Sequence, residues 1–167
     1  GDGGGISIVD QGVVYLNNST VSSNASPHGN GGGIYNLGAL TIQNSILAGN
    51  SDASQQPSDC SGTLSSKGYN LIQNINGCTL DGDTGGNLIG IDPLLGPLQD
   101  NGGSTWTQAL LPSSPAIDAG DAQDLLDDVR PALLRHLAQV VQVHALARTV
   151  LDLTVDSEAP LVVALRL

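Results

Sequence analysis

The sequence predicts an all-β fold, a right-handed parallel β-helix in which short strands stack in successive coils. Three features carry this prediction: a repeat that relates residues 12–24 to 38–50, an alternation of period two inside each block, and an unusual composition. Aromatic residues make up 2% of the 167 residues, Phe and Met are absent, and all 22 Gly lie at or before Gly120. A core without large rings must be built from small aliphatic side chains, which suit a narrow, repetitive interior.

The repeat emerges when residues 12–24 are aligned with residues 38–50, because Val14, Leu16 and Val21 then match Leu40, Ile42 and Leu47. A cluster of glycines that ends in Ile precedes both blocks. Two echoes follow: residues 68–74 resemble the second block at an offset of 30, and residues 70–72 recur as 87–89. A unit of this length that cannot bury its own apolar side must stack on its neighbours.

Inside each block the period is two, which is the alternation of a β-strand. We expect one set of side chains to point inward: Val14, Leu16, Leu40 and Ile42. We expect a second, uncharged set to point outward: Tyr15, Asn17, Thr41, Gln43, Asn70 and Gln73. Asn18 and Asn44 fall on the inward parity where the alternation stops. They are candidates for a structural ladder of stacked amides, and the alternative is an ordinary turn Asn.

The chain divides by composition into residues 1–121, the β-helix coils with a closing segment, and an atypical tail, residues 122–167. Within the first part we expect a loosened excursion over 51–80. A Pro-rich segment over 81–121 then covers the last open edge, with Trp106 packed against the end of the coils. In the tail, Pro131 can open a helix whose Leu and Val residues recur at helical spacing. That tail caps the coils, docks on a partner, or is a frame-shifted sequence.

Two cysteines, Cys60 and Cys78, lie in the expected excursion. A pair in a loop-rich segment favours a disulfide formed in an oxidising compartment, and the alternative is two unrelated thiols. The chain opens on Gly1 without an initiator Met, a basic region or an apolar region. We therefore expect it to be cut from a longer precursor.

The formal charge is −11, and nine Asp against one Lys through Gly120 give that part a charge of −8. Such a surface repels phosphate backbones and anionic lipid, so we expect no nucleic-acid partner. No apolar run is long enough to cross a bilayer as a helix, so we expect no membrane insertion in this segment.

Few residues suggest chemistry. Asp81, Asp83 and Asp92 match positions of a calcium-binding loop, but Gly85 stands at the fifth position and no helix-forming run flanks the segment. A solvated Gly-Asp turn is the alternative that these departures favour, so no cofactor is expected beyond this calcium candidate. The outward positions carry no acid or base, and the other Asp residues fall in apparent turns. We therefore expect no catalytic residues and no enzyme activity.

The segment GGGIYNLGALTIQNSILAGNS (31–51) resembles repeats of bacterial β-helix surface proteins, including the polymorphic outer-membrane protein type. Residues 59–74 and 77–121 resemble the choice-of-anchor Q domain, whereas the family's DQRG-like continuation is absent after Asp121. The resemblance implies an extracellular or outer cell surface location. We expect an adhesin-like or structural domain whose partners are glycans or a host or neighbouring cell surface. The alternative is a carbohydrate-active β-helix domain that degrades or binds polysaccharide.

Overall fold

The computed structural model describes residues 1–121, which form one compact unit. The predicted helix and terminal strand of the tail lie outside these residues, so the interpretation of 122–167 stays a prediction. The described part holds strands and bends and no helix. Its strands are β1 (Ile6–Ile8), β2 (Val13–Asn17), β3 (Thr20–Ser22), β4 (Ile34–Asn36), β5 (Ala39–Gln43), β6 (Ile46–Ala48), β7 (Cys60–Lys67), β8 (Leu71–Ile72), β9 (Cys78–Asp83), β10 (Leu88–Ile89), β11 (Leu95–Gln99) and β12 (Thr107–Leu110).

Strands β1 to β10 pair in parallel and form three stacks. The first stack holds β1, β4 and the start of β7, and the second holds β2, β5, the rest of β7 and β9. The third stack holds β3, β6, β8 and β10. We call each run of the chain through these stacks a pass: residues 6–22, 34–48, 60–72 and 78–89. The fourth pass skips the first stack. The protein is therefore all-β, with parallel strands in curled sheets.

The strand register confirms the predicted repeat between the first two passes. All of β2 pairs with β5 in the alignment that the sequence gives, and Thr20 pairs with Ile46 in the third stack at the same offset. The echo at 87–89 is also confirmed, because Leu88 pairs with Leu71. The echo that aligns residues 68–74 with the second block is wrong, because it places Leu71 opposite Thr41, whereas Leu71 pairs with Ile46.

The expected excursion over 51–80 is also wrong, since this segment contains the third pass. Strand β7 pairs first with β4 and then with β5, without the bend that separates those two strands. Ser66 is buried and takes the register position that Ile42 holds in the second pass. Because an inward position here holds a polar residue, the sequence of this pass lacks the alternation of apolar and polar residues that marks the earlier passes.

Two left-handed bends recur at equivalent points of the first two passes. Asn18 and Asn44 have φ of 49° and 48°, and Ser23 and Gly49 have φ of 58° and 67°. Asn and Gly enter this conformation more readily than other residues. The left-handed positions, Asn18 and Asn44 in one bend and Ser23 and Gly49 in the other, therefore end the strands at the same points of the first two passes.

The interior is aliphatic, as the composition predicts. Its buried cluster consists of Ile8, Ile34, Leu40, Ile42, Leu47, Cys60, Leu64 and Ile72. Burying each large aliphatic side chain contributes about 1.5–3 kcal/mol. The predicted alternation is confirmed, because Leu40 and Ile42 are buried while Tyr15 is 73% exposed.

Strands β11 and β12 form an antiparallel pair that lies along the outer face of the third stack. A cavity of about 90 Å³ separates Ile46, Leu71 and Leu88 on that stack from Leu110 and Ala116. Further along the segment, the backbone N–H of Asp121 donates to Asn44 Oδ1. The closing segment thus covers a side of the stacks. The expectation that it lies over their last edge is wrong, because an apolar row on the third stack offers it an aliphatic surface.

Candidate functional site

A row of polar side chains, half-buried at Asn24 and buried at Asn50 and Asp59, joins the ends of the first two passes to the start of the third. Asn24 Nδ2 donates to Asn50 Oδ1 over 3.0 Å, and the backbone N–H of Asn24 donates to the same oxygen over 2.9 Å. Asn50 Nδ2 in turn donates to Asp59 Oδ1 over 2.8 Å. Asn50 therefore bonds the pass before it and the pass after it, which is how a ladder holds stacked strands in register.

Asp59 ends this row as an acceptor. Its carboxylate, in a residue 1% exposed, also accepts from the backbone N–H groups of Asn50 and Asn74. The expectation that Asp59 serves only a local turn is wrong, because these partners lie 9 and 15 residues away. Asn24 and Asn50 occupy equivalent positions in the aligned blocks, and this match is the sequence signal for the first two residues of the row.

A second row runs through the bend between the second and third stacks. The N–H of Ser19 donates to Ser45 Oγ, and the N–H of Ser45 donates to Asn70 Oδ1 over 3.1 Å. The row continues because Asn70 donates to Asn87 Oδ1 from both its N–H and its Nδ2. Asn70 is 1% exposed, so its predicted outward orientation is wrong. The left-handed backbone of Tyr69, with φ of 58°, interrupts the strand alternation before it.

The predicted ladder residues Asn18 and Asn44 lie one position before this second row. Asn18 is exposed. Its predicted inward orientation assumed that the strand alternation continues to residue 18, and the left-handed backbone there ends that alternation. Asn44 is half-buried and receives the N–H of Asp121. A ladder between these two amides stays a prediction.

The predicted disulfide is present and joins Cys60 to Cys78, with their Cα atoms 5.5 Å apart. Cys60 begins β7 and Cys78 begins β9, and these two strands pair in parallel. The disulfide therefore fastens the third pass to the fourth. A disulfide of this kind is typical of proteins in a non-reducing compartment.

The calcium candidates are divided between strand β9 and a later coil. Asp81 and Asp83 are in strand β9, whereas Asp92 lies in the coil after β10. Each carboxylate accepts a nearby backbone N–H, from Gly82, Gly85 and Leu94 respectively. Within residues 1–121 no three metal-ligating side chains form a cluster. These carboxylates make local hydrogen bonds to the backbone, and the calcium candidate stays a prediction.

A groove lies between the first pass and the antiparallel pair β11–β12. It encloses about 980 Å³, and its lining residues carry no formal charge at neutral pH. One wall presents Ser22 and Asn24 from the end of the first pass. The other presents Trp106, Thr107 and Gln108, and Gln108 contacts Ser22 across the groove.

Trp106 is the lining residue that has an aromatic ring. It is 69% exposed, and Leu98 beside it in the same lining is 60% exposed. The expectation that Trp106 packs against the end of the coils is wrong. It precedes β12, which runs along the side of the third stack and leaves the indole at the mouth of the groove.

No family model matches the chain, and neither the curated proteins nor the solved structures contain a match. Within residues 1–121 there is no helix long and apolar enough to cross a membrane. The class that the described residues define is an all-β protein of stacked parallel strands with a disulfide.

Proposed function

We propose that residues 1–121 belong to a right-handed parallel β-helix in a bacterial protein outside the cell or on its outer surface. In this proposal the domain is non-catalytic and adhesin-like or structural. The observation that carries it is the pairing of successive passes in three parallel stacks, reinforced by two rows of hydrogen-bonded polar side chains. Such stacking gives a rigid support with outward faces available for contact with other molecules.

The disulfide supports the proposed location, because structural disulfides persist in oxidising environments. The resemblance to the choice-of-anchor Q domain supports it as well, and membership of that family is part of the proposal. The segments that carry the resemblance are residues 59–74 and 77–121, which include the third pass, the fourth pass and the closing segment.

The alternative is a carbohydrate-active domain that degrades or binds polysaccharide, and degradation needs acids or bases that converge on one groove. The groove beside Trp106 is lined by side chains without formal charge, so it favours binding over cleavage. Two readouts separate these functions: retention of the full chain on cells, and release of new reducing ends from polysaccharide. The proposal predicts retention without release, and sustained depolymerisation by purified protein contradicts it.

The location is tested by labelling intact source cells with an antibody against residues 1–121. The proposal predicts labelling before permeabilisation, and its loss after brief external proteolysis. Labelling that requires permeabilisation contradicts an outer surface location. Adhesion is tested separately with beads that carry the folded full chain or the same chain after reduction and urea unfolding. Equal retention of both bead types on target cells contradicts a folded adhesive surface.

A further inference from the structure

The geometry points to a binding site for a neutral glycan in the groove beside Trp106. This inference rests on the proposed adhesin-like function and adds the place of contact and the class of ligand. The groove is open to solvent, and Gln108 contacts Ser22 across it, so the ligand would lie beside Trp106 and Leu98 rather than between those two polar side chains.

The exposed indole of Trp106 is the first feature that favours a glycan. An aromatic ring of this size is usually buried when it contributes to a core, and the buried cluster within residues 1–121 contains no aromatic ring. A pyranose ring presents C–H groups on one face, and these pack on the face of an indole. Trp106 also carries an N–H donor at its edge, which suits a ligand that is apolar on one face and hydroxylated at its rim.

The polar lining is the second feature. Ser22 and Thr107 contribute hydroxyl groups, and Asn24 and Gln108 contribute side-chain amides. Part of their capacity is used inside the protein, because Ser22 donates to Gln108 and the Nδ2 of Asn24 donates to Asn50. The Thr107 hydroxyl accepts from Asn101 and keeps its own O–H for a ligand. Hydroxyls and amides combine donors with acceptors, as sugar hydroxyls do. A few polar groups beside an aromatic and aliphatic surface are the usual composition of a small-ligand site.

Charge is the third feature, and it selects among glycans. The lining residues carry no formal charge, while residues through Gly120 carry −8. An acidic glycan would approach a repulsive field without a cation in the lining to compensate. A neutral glycan meets no such repulsion, and its binding does not require the burial of a carboxylate.

The test uses the full chain, in which Trp106 is the only Trp, so that its intrinsic fluorescence reports on the groove directly. The probes are neutral oligosaccharides of glucose, mannose, galactose, xylose and N-acetylglucosamine, with oligogalacturonide as the acidic comparison. We expect a saturable change in emission with at least one neutral probe and none with the acidic one. No change with any neutral probe overturns the inference, as does tighter binding of the acidic probe.

Calorimetry with the neutral probe then compares Trp106→Ala with Tyr15→Ala. Tyr15 is a matched control, because it is an exposed aromatic residue on β2 and does not line the groove. We expect Trp106→Ala to weaken binding by about tenfold or more, as truncation of a Trp anchor does, and Tyr15→Ala to leave it unchanged. Circular dichroism and the thermal midpoint establish that both variants are folded.

Equal losses in the two folded variants, or no loss in Trp106→Ala, overturn the assignment of the site. These outcomes are distinct from failure of the proposed function. If the folded chain adheres to cells and Trp106→Ala adheres equally, the inference fails and the adhesin-like function stands. If the folded chain is not retained on any cell surface, the adhesin-like function fails as well.

Discussion

Replacing Asn50 with Ala should destabilise the protein by breaking the polar row at its centre. The Asn50 side chain makes four hydrogen bonds: two from Asn24, one to the carbonyl of Val21 and one to Asp59. Each contributes about 0.5–1.5 kcal/mol net, and a buried group that loses its partner costs about 1–3 kcal/mol. Two of the partner groups keep another bond, since Asn24 Nδ2 still reaches Ser22 and Asp59 still accepts from the backbone of residue 50.

These bonds together predict a loss of about 3 kcal/mol in the free energy of unfolding for Asn50→Ala. Urea unfolding followed by circular dichroism measures it, and the thermal midpoint should fall by about 10 °C. The control is Asn76→Ala, which removes the same amide from an exposed position and should change stability by less than about 0.5 kcal/mol. A loss below about 1 kcal/mol for Asn50→Ala, or one equal to the control, refutes the reasoning.

Two further predictions concern the disulfide and the core. Replacing both Cys60 and Cys78 with Ser should cost about 3 kcal/mol, because the bond closes a loop across a sequence separation of 18. Thermal unfolding with and without reductant measures this; a midpoint that reductant leaves unchanged in the parent chain contradicts it. Leu47→Ala should cost about 2–5 kcal/mol, because Leu47 is fully buried between neighbouring passes, whereas Leu98→Ala on the exposed face of β11 should cost far less. Urea midpoints compare the two, and equal shifts would place Leu47 outside the core.

The sequence predicts the second and third stacks of the first two passes well, because residues 12–24 and 38–50 keep one offset throughout. In the first stack the offset differs by two residues, since Ile6 pairs with Ile34. The alignment of the two blocks is also the strand register, and the alternation gives the inward faces of β2 and β5. The glycine cluster before each block has a physical reason as well. A Cβ at Gly32 would overlap the backbone of Ser51, so the close approach of neighbouring passes requires glycine there.

The later passes depart from that rule, and each departure has a local cause. Strand β7 runs through two stacks without a bend, and Ser66 replaces an aliphatic residue inside it. The left-handed Tyr69 turns Asn70 inward, which a strict alternation cannot anticipate. Asp59 continues the row that Asn24 and Asn50 begin. Because it is an Asp and not an Asn, a search for repeated Asn residues does not identify it.

The groove could not be predicted because its two walls come from distant parts of the chain. Ser22 and Gln108 meet across a separation of 86 residues, and no repeat relates them. The sequence identifies Trp106 as the single Trp but contains no periodic signal for its surroundings. Its exposure follows from the path of β11–β12 along the side of the third stack.

The most direct test of the stacked passes is the cross-strand pattern of nuclear Overhauser effects between β2 and β5 in the isotope-labelled full chain. We expect parallel contacts in one constant register, with Val14 opposite Leu40 and Leu16 opposite Ile42. The same register should continue between β3 and β6, with Thr20 opposite Ile46. An antiparallel pattern between these strands, or contacts in a different register, would contradict the stacked passes on which the proposed function rests.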